Sequence, residues 1–312
     1  MLKILPWLVL PLLALSACQP DVGVFGADHV MEPTLFAPGV ISTDASEYAI
    51  AFSPDGREAY FTRRGRGRRT RPQIMVSRVV DDTWTEAEPA SFSTGWEESP
   101  FLTSDGERLI FSARKDVPGW GAVPASNNLW VVERGPDGWS QPAPLAGEVN
   151  QPRADTGRGA PTRDESGAIL LSDGTLLYST QEAPERAQDI YIADPQDDRF
   201  VNARPMLLNS SGDEAHPAMS PDGRFLIFHG FRDVYARSDD LFVSERTDYG
   251  WSEPRPLPEP INSPFDEGYA SFSRDGRFLF FSSSRGSGGT SIYYVGVEAL
   301  GLGDTGSAEG GA

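Results

Sequence analysis

The chain has 312 residues, among them 32 glycines, 26 prolines, 17 phenylalanines and 7 tryptophans. This composition favours many short strands joined by turns over long helices, because helix-forming residues do not recur at helical spacing. The 45 acidic and 27 basic residues give a net charge of −18. Such a charge argues against DNA or RNA as a partner, since phosphate binding needs a basic surface.

Residues 1–17 have the layout of a secretory signal. A basic start is followed by an apolar run over residues 4–15, too short to span a bilayer comfortably. Leu15-Ser16-Ala17-Cys18 resembles the bacterial lipobox, which implies cleavage before Cys18 and several acyl chains on it, enough for stable anchoring. Gln19, the residue after the cysteine, is typical of lipoproteins that are sorted to the outer membrane. We therefore expect the protein to be anchored there and to face the periplasm. An ordinary signal with an incidental cysteine is the alternative.

A tetrapeptide ending in Asp-Gly recurs five times along the chain. Its glycines are spaced by 50, 68, 49 and 53 residues, a period typical of propeller blades. Asp-Gly between apolar runs favours a tight hairpin turn, since glycine tolerates the positive φ that such turns require. The copies are Ser53-Pro54-Asp55-Gly56, Thr103-Ser104-Asp105-Gly106, Leu171-Ser172-Asp173-Gly174, Ser220-Pro221-Asp222-Gly223 and Ser273-Arg274-Asp275-Gly276. We therefore predict an all-β propeller of five four-stranded blades.

The fifth repeat lacks an outer strand, because after Val297 the chain turns to Gly, Ser and Glu. The missing piece is near the N-terminus, where Glu32-Pro33 through Ile41-Ser42 is similar to Glu253-Pro254 through Ile261-Asn262. We expect this N-terminal strand to close the last blade and so remove the open sheet edges. Six blades are the alternative, but another blade would need about 45 residues, and no unassigned gap is that long.

The chain is thus predicted to have four parts and to be a monomer. They are a signal peptide over residues 1–17, a tether over 18–29, the propeller over 30–298 and a disordered tail over 299–312. So short a tether would hold the propeller close to the membrane surface.

The stretch from Ile261-Asn262-Ser263-Pro264-Phe265-Asp266-Glu267-Gly268-Tyr269 to the fifth Asp-Gly turn resembles the WD-like repeats of the TolB type. Residues 214–228 and 48–62 are similar. The resemblance covers residues 30–297 and implies a β-propeller of the cell envelope. It says little about activity, because one fold hosts many functions. TolB itself has six blades, so its particular partners do not carry over to five repeats.

A glutamate lies nine residues before every repeat glycine, at the face opposite the Asp-Gly turns. We interpret it as structural, paired with an arginine or with backbone N–H groups, because a partly buried carboxylate stays ionised in this way. A ring that receives a cation or a basic peptide end is the alternative. The glutamates are Glu47, Glu97, Glu165, Glu214 and Glu267. The expected partners are Arg64, Arg114, Arg232 and Arg285, and the third repeat departs with Glu182.

The same face carries long loops in adjacent repeats, and binding residues are found preferentially on such loops. The basic loop over residues 63–71 is suited to an anionic lipid, lipopolysaccharide or an acidic partner; a solvated loop is the plainer interpretation. Aromatic residues near it can line a sugar- or peptide-binding pocket or simply pack between blades. The candidate binding residues are Arg64, Arg66, Arg68, Arg69, Trp96, Trp120 and Tyr269.

No motif of catalysis, metal binding or cofactor binding stands out. His29, His216 and His229 are scattered, and no Gly-x-Ser-x-Gly, His-Glu-x-x-His or phosphate-binding glycine loop occurs. We therefore predict no catalytic residue, no metal and no cofactor. The leading hypothesis is a lipid-anchored envelope protein whose propeller binds a protein or peptide. The alternatives are a glycan-active enzyme with paired carboxylates and a structural spacer without a specific ligand.

Overall fold

A computed structural model of the chain describes Phe25 and residues 29–67, 70–119, 126–151, 164–181, 187–232, 238–286 and 288–302. The predicted lipidation residue Cys18, the loop residues Arg68, Arg69 and Trp120, and Glu182 lie outside the described residues. No helix of the described part is long and apolar enough to cross a membrane.

Each repeat forms one antiparallel sheet, which confirms the predicted propeller of five blades. The innermost strands, which surround the central axis, are β2 (Ser46–Phe52), β7 (Glu97–Leu102), β12 (Asp164–Leu170), β16 (Asp213–Met219) and β21 (Glu267–Phe272). The second strands are β3 (Glu58–Arg64), β8 (Arg108–Ala113), β13 (Leu176–Gln181), β17 (Phe225–Phe231) and β22 (Phe278–Ser283). The third strands are β4 (Gln73–Val80), β9 (Asn128–Gly135), β14 (Asp189–Gln196), β18 (Asp240–Thr247) and β23 (Ser291–Gly296).

The outer strands are short and interrupted in three blades. They are β5 (Thr83–Trp84) with β6 (Glu88–Pro89), β10 (Gly138–Trp139) with β11 (Ala143–Pro144), the continuous β15 (Arg199–Pro205), and β19 (Gly250–Trp251) with β20 (Arg255–Pro256). Proline suits these positions, since a missing N–H at a sheet edge breaks no hydrogen-bonded ladder.

The N-terminal strand β1 (Thr34–Leu35) closes the last blade, as predicted. It pairs antiparallel with β23, placing Thr34 opposite Tyr294 and Leu35 opposite Tyr293. The next residue, Phe36, packs edge-on against Phe280 at 5.1 Å between ring centroids. Main-chain pairing and aromatic packing together fasten the first and last blades.

The packed part of the chain extends beyond both ends of the segment predicted as 30–298. Phe25, placed in the tether by the sequence, is buried and packs edge-on against Phe52 at 5.3 Å. Residues Val297–Leu300, placed partly in the disordered tail, form a 3₁₀ helix whose Leu300 is fully buried. Both departures place an apolar side chain between two blades: Phe25 packs in the cluster shared by the first and fifth blades, and Leu300 in the cluster shared by the fourth and fifth.

Each sheet is buried on both sides, because it packs against a neighbouring blade on either face. β22, for example, is buried at all six residues. Four of the Asp-Gly turns repeat one hydrogen-bonding pattern, in which Ser53 Oγ donates to Asp55 Oδ1 and the Arg57 N–H donates to the same oxygen at 3.0 Å, whereas the third has Leu171 in place of the hydroxyl residue. Gly56 at φ 69° supplies the left-handed residue that the first turn needs. We call the side of the propeller with these turns the turn face, and the opposite side the loop face.

Candidate functional site

The five repeated glutamates lie fully or almost fully buried at the start of the innermost strands. We call Glu47, Glu97, Glu165, Glu214 and Glu267 the glutamate ring. In four blades the carboxylate accepts hydrogen bonds from the backbone and hydroxyl of the segment just before it. Thr43 donates to Glu47 with its N–H at 3.1 Å and its hydroxyl at 2.6 Å. Ser263 does the same for Glu267 at 2.8 and 2.7 Å.

In each of these four blades an arginine or lysine side chain forms an ion pair with the glutamate, but it is not always the residue that the sequence predicted. Arg232 and Arg285 pair with Glu214 and Glu267 at 2.9 and 3.1 Å, as predicted. In the first blade Arg63, not Arg64, lies 2.9 Å from Glu47, since it stands directly opposite Glu47 in the strand register. Side chains alternate across a strand, so Arg64 is on the other side of the sheet.

The second blade differs for the same reason. Lys115, not Arg114, pairs with Glu97 at 2.7 Å, because it stands two residues beyond Ala113, which is opposite Glu97 in the register. Burial raises the pKa of Glu97, but hydrogen bonds from Lys115, Thr94 and Gly95 outweigh it and hold the pKa below its usual value. At Glu214 burial dominates and the pKa is raised.

These contacts join neighbouring blades. Arg63 also donates to the Val40 carbonyl at 3.0 Å, and Arg285 to the Pro260 carbonyl at 3.0 Å, both in the connection before the innermost strand. Carboxylates so engaged are suited to holding the ring together. A serine or threonine four residues before the glutamate was the sequence signal for this role, and it occurs at Thr43, Ser93, Ser210 and Ser263.

Like Phe265, which is 48% exposed, Trp96 presents an aromatic side chain to solvent on the loop face. Its side chain is 37% exposed, although its backbone adopts the left-handed conformation at φ 73°. The Trp96 N–H donates to the Pro72 carbonyl at 2.7 Å, and its own carbonyl accepts from the Arg114 N–H at 3.1 Å. The guanidinium carbons of Arg71 and Arg114 lie 5.9 and 5.3 Å from the ring centroid. We call Trp96, Arg71 and Arg114 the tryptophan cluster.

The basic loop after β3 lies beside this cluster. Arg64 and Arg66 are both exposed, and Arg66 lies 3.6 Å from the exposed carboxylate of Asp44. Tyr269, by contrast, is separated from the loop-face residues and lies in the central channel. The sequence analysis had grouped Tyr269 with Trp96 as aromatic residues that can line one binding pocket, but Tyr269 lies within β21.

A second ring of five equivalent residues lies two positions after the glutamates. Every non-glycine member has a positive φ, between 52° and 55°, and Gly167 has φ 58°. Each forms a bulge that interrupts the pairing of the innermost strand with its neighbour. Such bulges redirect side chains and are frequent beside functional sites. We call Ala49, Ser99, Gly167, His216 and Tyr269 the channel ring.

Aromatic rings from three blades meet at the channel ring. The His216 and His229 rings stack with centroids 5.0 Å apart, and Tyr269 lies 4.3 Å from His216 and 4.8 Å from Tyr48. The Tyr48 hydroxyl donates to Glu98 at 2.9 Å, and the Asn127 amide donates to the other oxygen at 2.9 Å.

Burial keeps both imidazoles neutral. It lowers the pKa of His229 to about 4, and it lowers the pKa of His216 well below its usual value, with repulsion from His229 adding to the effect. The Tyr269 N–H donates to His229 Nδ1 at 3.1 Å, so the proton of this ring is on Nε2. Sequence reasoning missed this cluster, because its members lie far apart in the chain.

Within the described residues, no group of three His, Cys, Asp or Glu side chains is arranged to hold a metal ion. Four of the ring glutamates are paired with an arginine or lysine side chain. These four therefore do not supply the free carboxylate pair that glycoside hydrolysis requires. Glu98 is the single acidic residue among those that directly follow the ring glutamates.

No protein-family model matches the chain, and no curated protein matches it. Solved structures do match. An α-L-arabinofuranosidase from Lactobacillus brevis shares 16% identity at a TM-score of 0.51, with 85% of this chain and 92% of that one covered. A putative TolB from Agrobacterium tumefaciens shares 15% identity at 0.48, covering 82% and 78%. A periplasmic gluconolactonase from Pseudomonas aeruginosa shares 17% at 0.44, covering 78% and 70%. Likeness at this level of identity shows the propeller fold alone.

Proposed function

We propose that this chain is a lipid-anchored protein of the bacterial envelope, held at the outer membrane by Cys18 and facing the periplasm, whose loop face binds an acidic segment of a partner protein. The observation that carries the proposal is the tryptophan cluster. A large aromatic residue in left-handed conformation is rare and strained, and such strain is concentrated at functional sites.

The composition of the cluster favours protein recognition. Tryptophan and arginine are the residues most enriched among those that dominate binding energy at protein interfaces. Trp96 and its two arginines are already fixed against one another before a partner arrives, so little conformational entropy is lost on binding.

Charge favours an acidic partner. The chain carries a net charge of −18, yet Arg64, Arg66, Arg71 and Arg114 are all exposed on the loop face. A basic patch on an acidic protein attracts an acidic segment there while the remaining surface repels it, which fixes the orientation of encounter.

Site-specific photo-crosslinking in living cells tests the binding face. The photoreactive residue p-benzoylphenylalanine replaces Arg64 on the loop face, and in the control chain it replaces the exposed Arg108 on the turn face. We expect an adduct with a protein from the Arg64 position, and about a tenfold loss of it in Trp96→Ala, as for a binding hot spot. Equal adducts from both positions, or an adduct unaffected by Trp96→Ala and Arg114→Gln, would contradict the proposal.

Membrane fractionation tests the anchor separately. Cys18→Ser removes the acylated sulfur, so the protein should move from the membrane fraction to the soluble fraction. Persistence of Cys18→Ser in the membrane fraction would overturn the anchor and leave the binding face untouched.

A further inference from the structure

A cavity of about 910 Å³ occupies the channel between the channel ring and the Asp-Gly turns. Its inner end is formed by the channel ring and its mouth by one residue from each turn, which we call the mouth ring. The mouth ring is Pro54, Ser104, Ser172, Pro221 and Arg274. The two rings are five residues apart in each blade, so at 3.3 Å per extended residue the cavity is at most about 16 Å long.

The wall of the cavity is apolar. Phe101, Leu170, Met219 and Phe272 line it, and each is only partly buried by the rest of the protein. A concave, mostly apolar cavity with a few polar groups is the usual form of a small-molecule site. The body of its occupant should therefore be apolar.

The inner end has polar atoms without a partner. Ser99 is 95% buried, and its Oγ has no hydrogen-bond partner among the described residues; the same holds for His216 Nδ1 and Ser271 Oγ. All three residues line the cavity. A buried polar atom left unpaired costs about 1–3 kcal/mol, so an occupant with a hydroxyl or carbonyl at this end would relieve a cost that the protein bears alone.

Arg274 is the charged member of the mouth ring. Arg274 stands where the first and fourth blades have proline, and it reaches across the channel to the carbonyls of Phe52, Leu102 and Thr103, at 3.3, 2.6 and 2.9 Å. It forms no ion pair with any of the described residues, and burial lowers the pKa of its guanidinium. A half-buried cation bonded only to carbonyls is an incomplete site for an anion.

The remaining charged groups around the mouth are carboxylates and arginines that interact with one another, and Arg224 also lies 3.3 Å from Glu245. Asp173 and Asp222 accept hydrogen bonds from the backbone of their own turns, and Arg246 and Arg224 lower the pKa of each respectively. Asp248 adds one further carboxylate at the edge. Asp105, in the second turn, attracts Arg274 without forming an ion pair with it, so Arg274 is a guanidinium at the mouth that is bonded to carbonyls and can still pair with the carboxylate of a ligand.

We propose that the channel binds a linear amphipathic monoanion, with its carboxylate on Arg274, its apolar chain along Phe101, Met219 and Phe272, and a polar end group on Ser99 and His216. This site opens on the turn face, opposite the tryptophan cluster, and it is independent of the partner proposed there.

Isothermal titration calorimetry on the full-length Cys18→Ser chain, which carries no acyl chain, in detergent-free buffer tests the site with three probes of one chain length. Decanoate should bind with one-to-one stoichiometry, ω-hydroxydecanoate more tightly, and decanol at least about tenfold more weakly than decanoate, since a charge-assisted hydrogen bond contributes about 1.5–3 kcal/mol.

Variants separate the three contacts. Arg274→Gln should weaken decanoate about tenfold and leave decanol unchanged, and Arg274→Pro, which places the residue of the first and fourth blades there, should do the same. Ser99→Ala should remove the advantage of ω-hydroxydecanoate and leave decanoate unchanged. Met219→Trp, which fills the channel, should abolish binding of all three probes.

The control is Arg108→Gln, an exposed arginine of the turn face outside the channel, which should change nothing. Circular dichroism confirms that each variant is folded. Absence of saturable binding by every probe, or decanoate affinity that is unchanged in both Arg274 variants and in Met219→Trp, would overturn the proposal.

Discussion

The glutamate ring and the channel ring are only two residues apart in every blade, yet they have diverged to different extents. The glutamate ring has the same side chain five times, and in the four blades described above it is bonded to hydroxyl, backbone and cation. The channel ring has one backbone conformation five times but five different side chains. Two of these, Ser99 and His216, retain polar atoms without a partner among the described residues.

The difference between the two rings separates two kinds of repeated position in a propeller. Where side chain and bonding repeat together, as at Glu47 and Glu267, the position serves the joining of blades. Where only the backbone repeats, the bulge presents a side chain to the channel and its identity is not dictated by the fold. Function is therefore to be sought where the five-fold equivalence fails.

The largest effect should come from breaking the glutamate ring. Glu267→Ala leaves Arg285 and the Ser263 N–H without their acceptor, and removing one partner of a buried pair costs about 3–5 kcal/mol of unfolding free energy. Urea denaturation followed by circular dichroism measures it. The exposed Glu133→Ala is the control and should stay within about 0.5 kcal/mol of the parent. A loss at Glu267 as small as the control would mean that the ring does not hold the blades.

Acid should destabilise the protein through the buried imidazole of His229 in the channel. The pKa of His229 is about 4 in the folded protein, below the ordinary value of about 6.5. The stability that comes from keeping this imidazole neutral is therefore present above pH 6.5 and lost as pH falls toward 4, by about 3 kcal/mol.

His229→Gln, whose amide oxygen can still accept from Tyr269, should flatten this slope between pH 7 and 4.5. Urea denaturation at both pH values measures the slope. His29→Gln, at an exposed histidine, is the matched control and should leave the slope unchanged. An unchanged slope in His229→Gln would show that His229 is not held neutral.

The channel ring should also resist a single added methyl group. A Cβ on Gly167 would lie 2.6 Å from His216 Cδ2, at a φ of 58° that alanine rarely adopts. We expect Gly167→Ala to cost about 2–3 kcal/mol. Gly223→Ala has a similar φ of 73° but no atom within 4 Å of the added Cβ, so it should cost only about 1 kcal/mol. Thermal denaturation of the two variants separates the steric clash from backbone strain, and equal losses would argue against a tightly packed channel ring.

The sequence was sufficient for the fold and insufficient for the site. The Asp-Gly period and the similarity between the segments at Glu32 and Glu253 predicted the blades and their closure, because turns and strand edges are local requirements. Arg64 was chosen in place of Arg63, since a shift of one residue in strand register moves a side chain to the other face. The contact of His229 with Tyr269 depends on how neighbouring blades pack, and no local pattern specifies it.

The smallest effect should come from a carboxylate on the loop face that is repelled by its neighbours. Burial, and then repulsion from Asp266, Asp213 and Asp240, raises the pKa of Asp239 to about 6. The folded state therefore holds this proton more tightly than the unfolded chain, and the resulting stability is present at low pH and lost as pH rises through about 6.

Asp239→Asn removes that repulsion, so it should stabilise the protein at pH 7.5 by about 1 kcal/mol after allowance for its partial exposure, and by much less at pH 4.5. Asp198→Asn, at an exposed turn residue, is the matched control and should show no difference between the two pH values. Thermal denaturation of both variants at each pH measures the effect. A gain at Asp239 that is independent of pH would trace it to packing and not to charge, and the loop face would then hold its carboxylates without electrostatic cost.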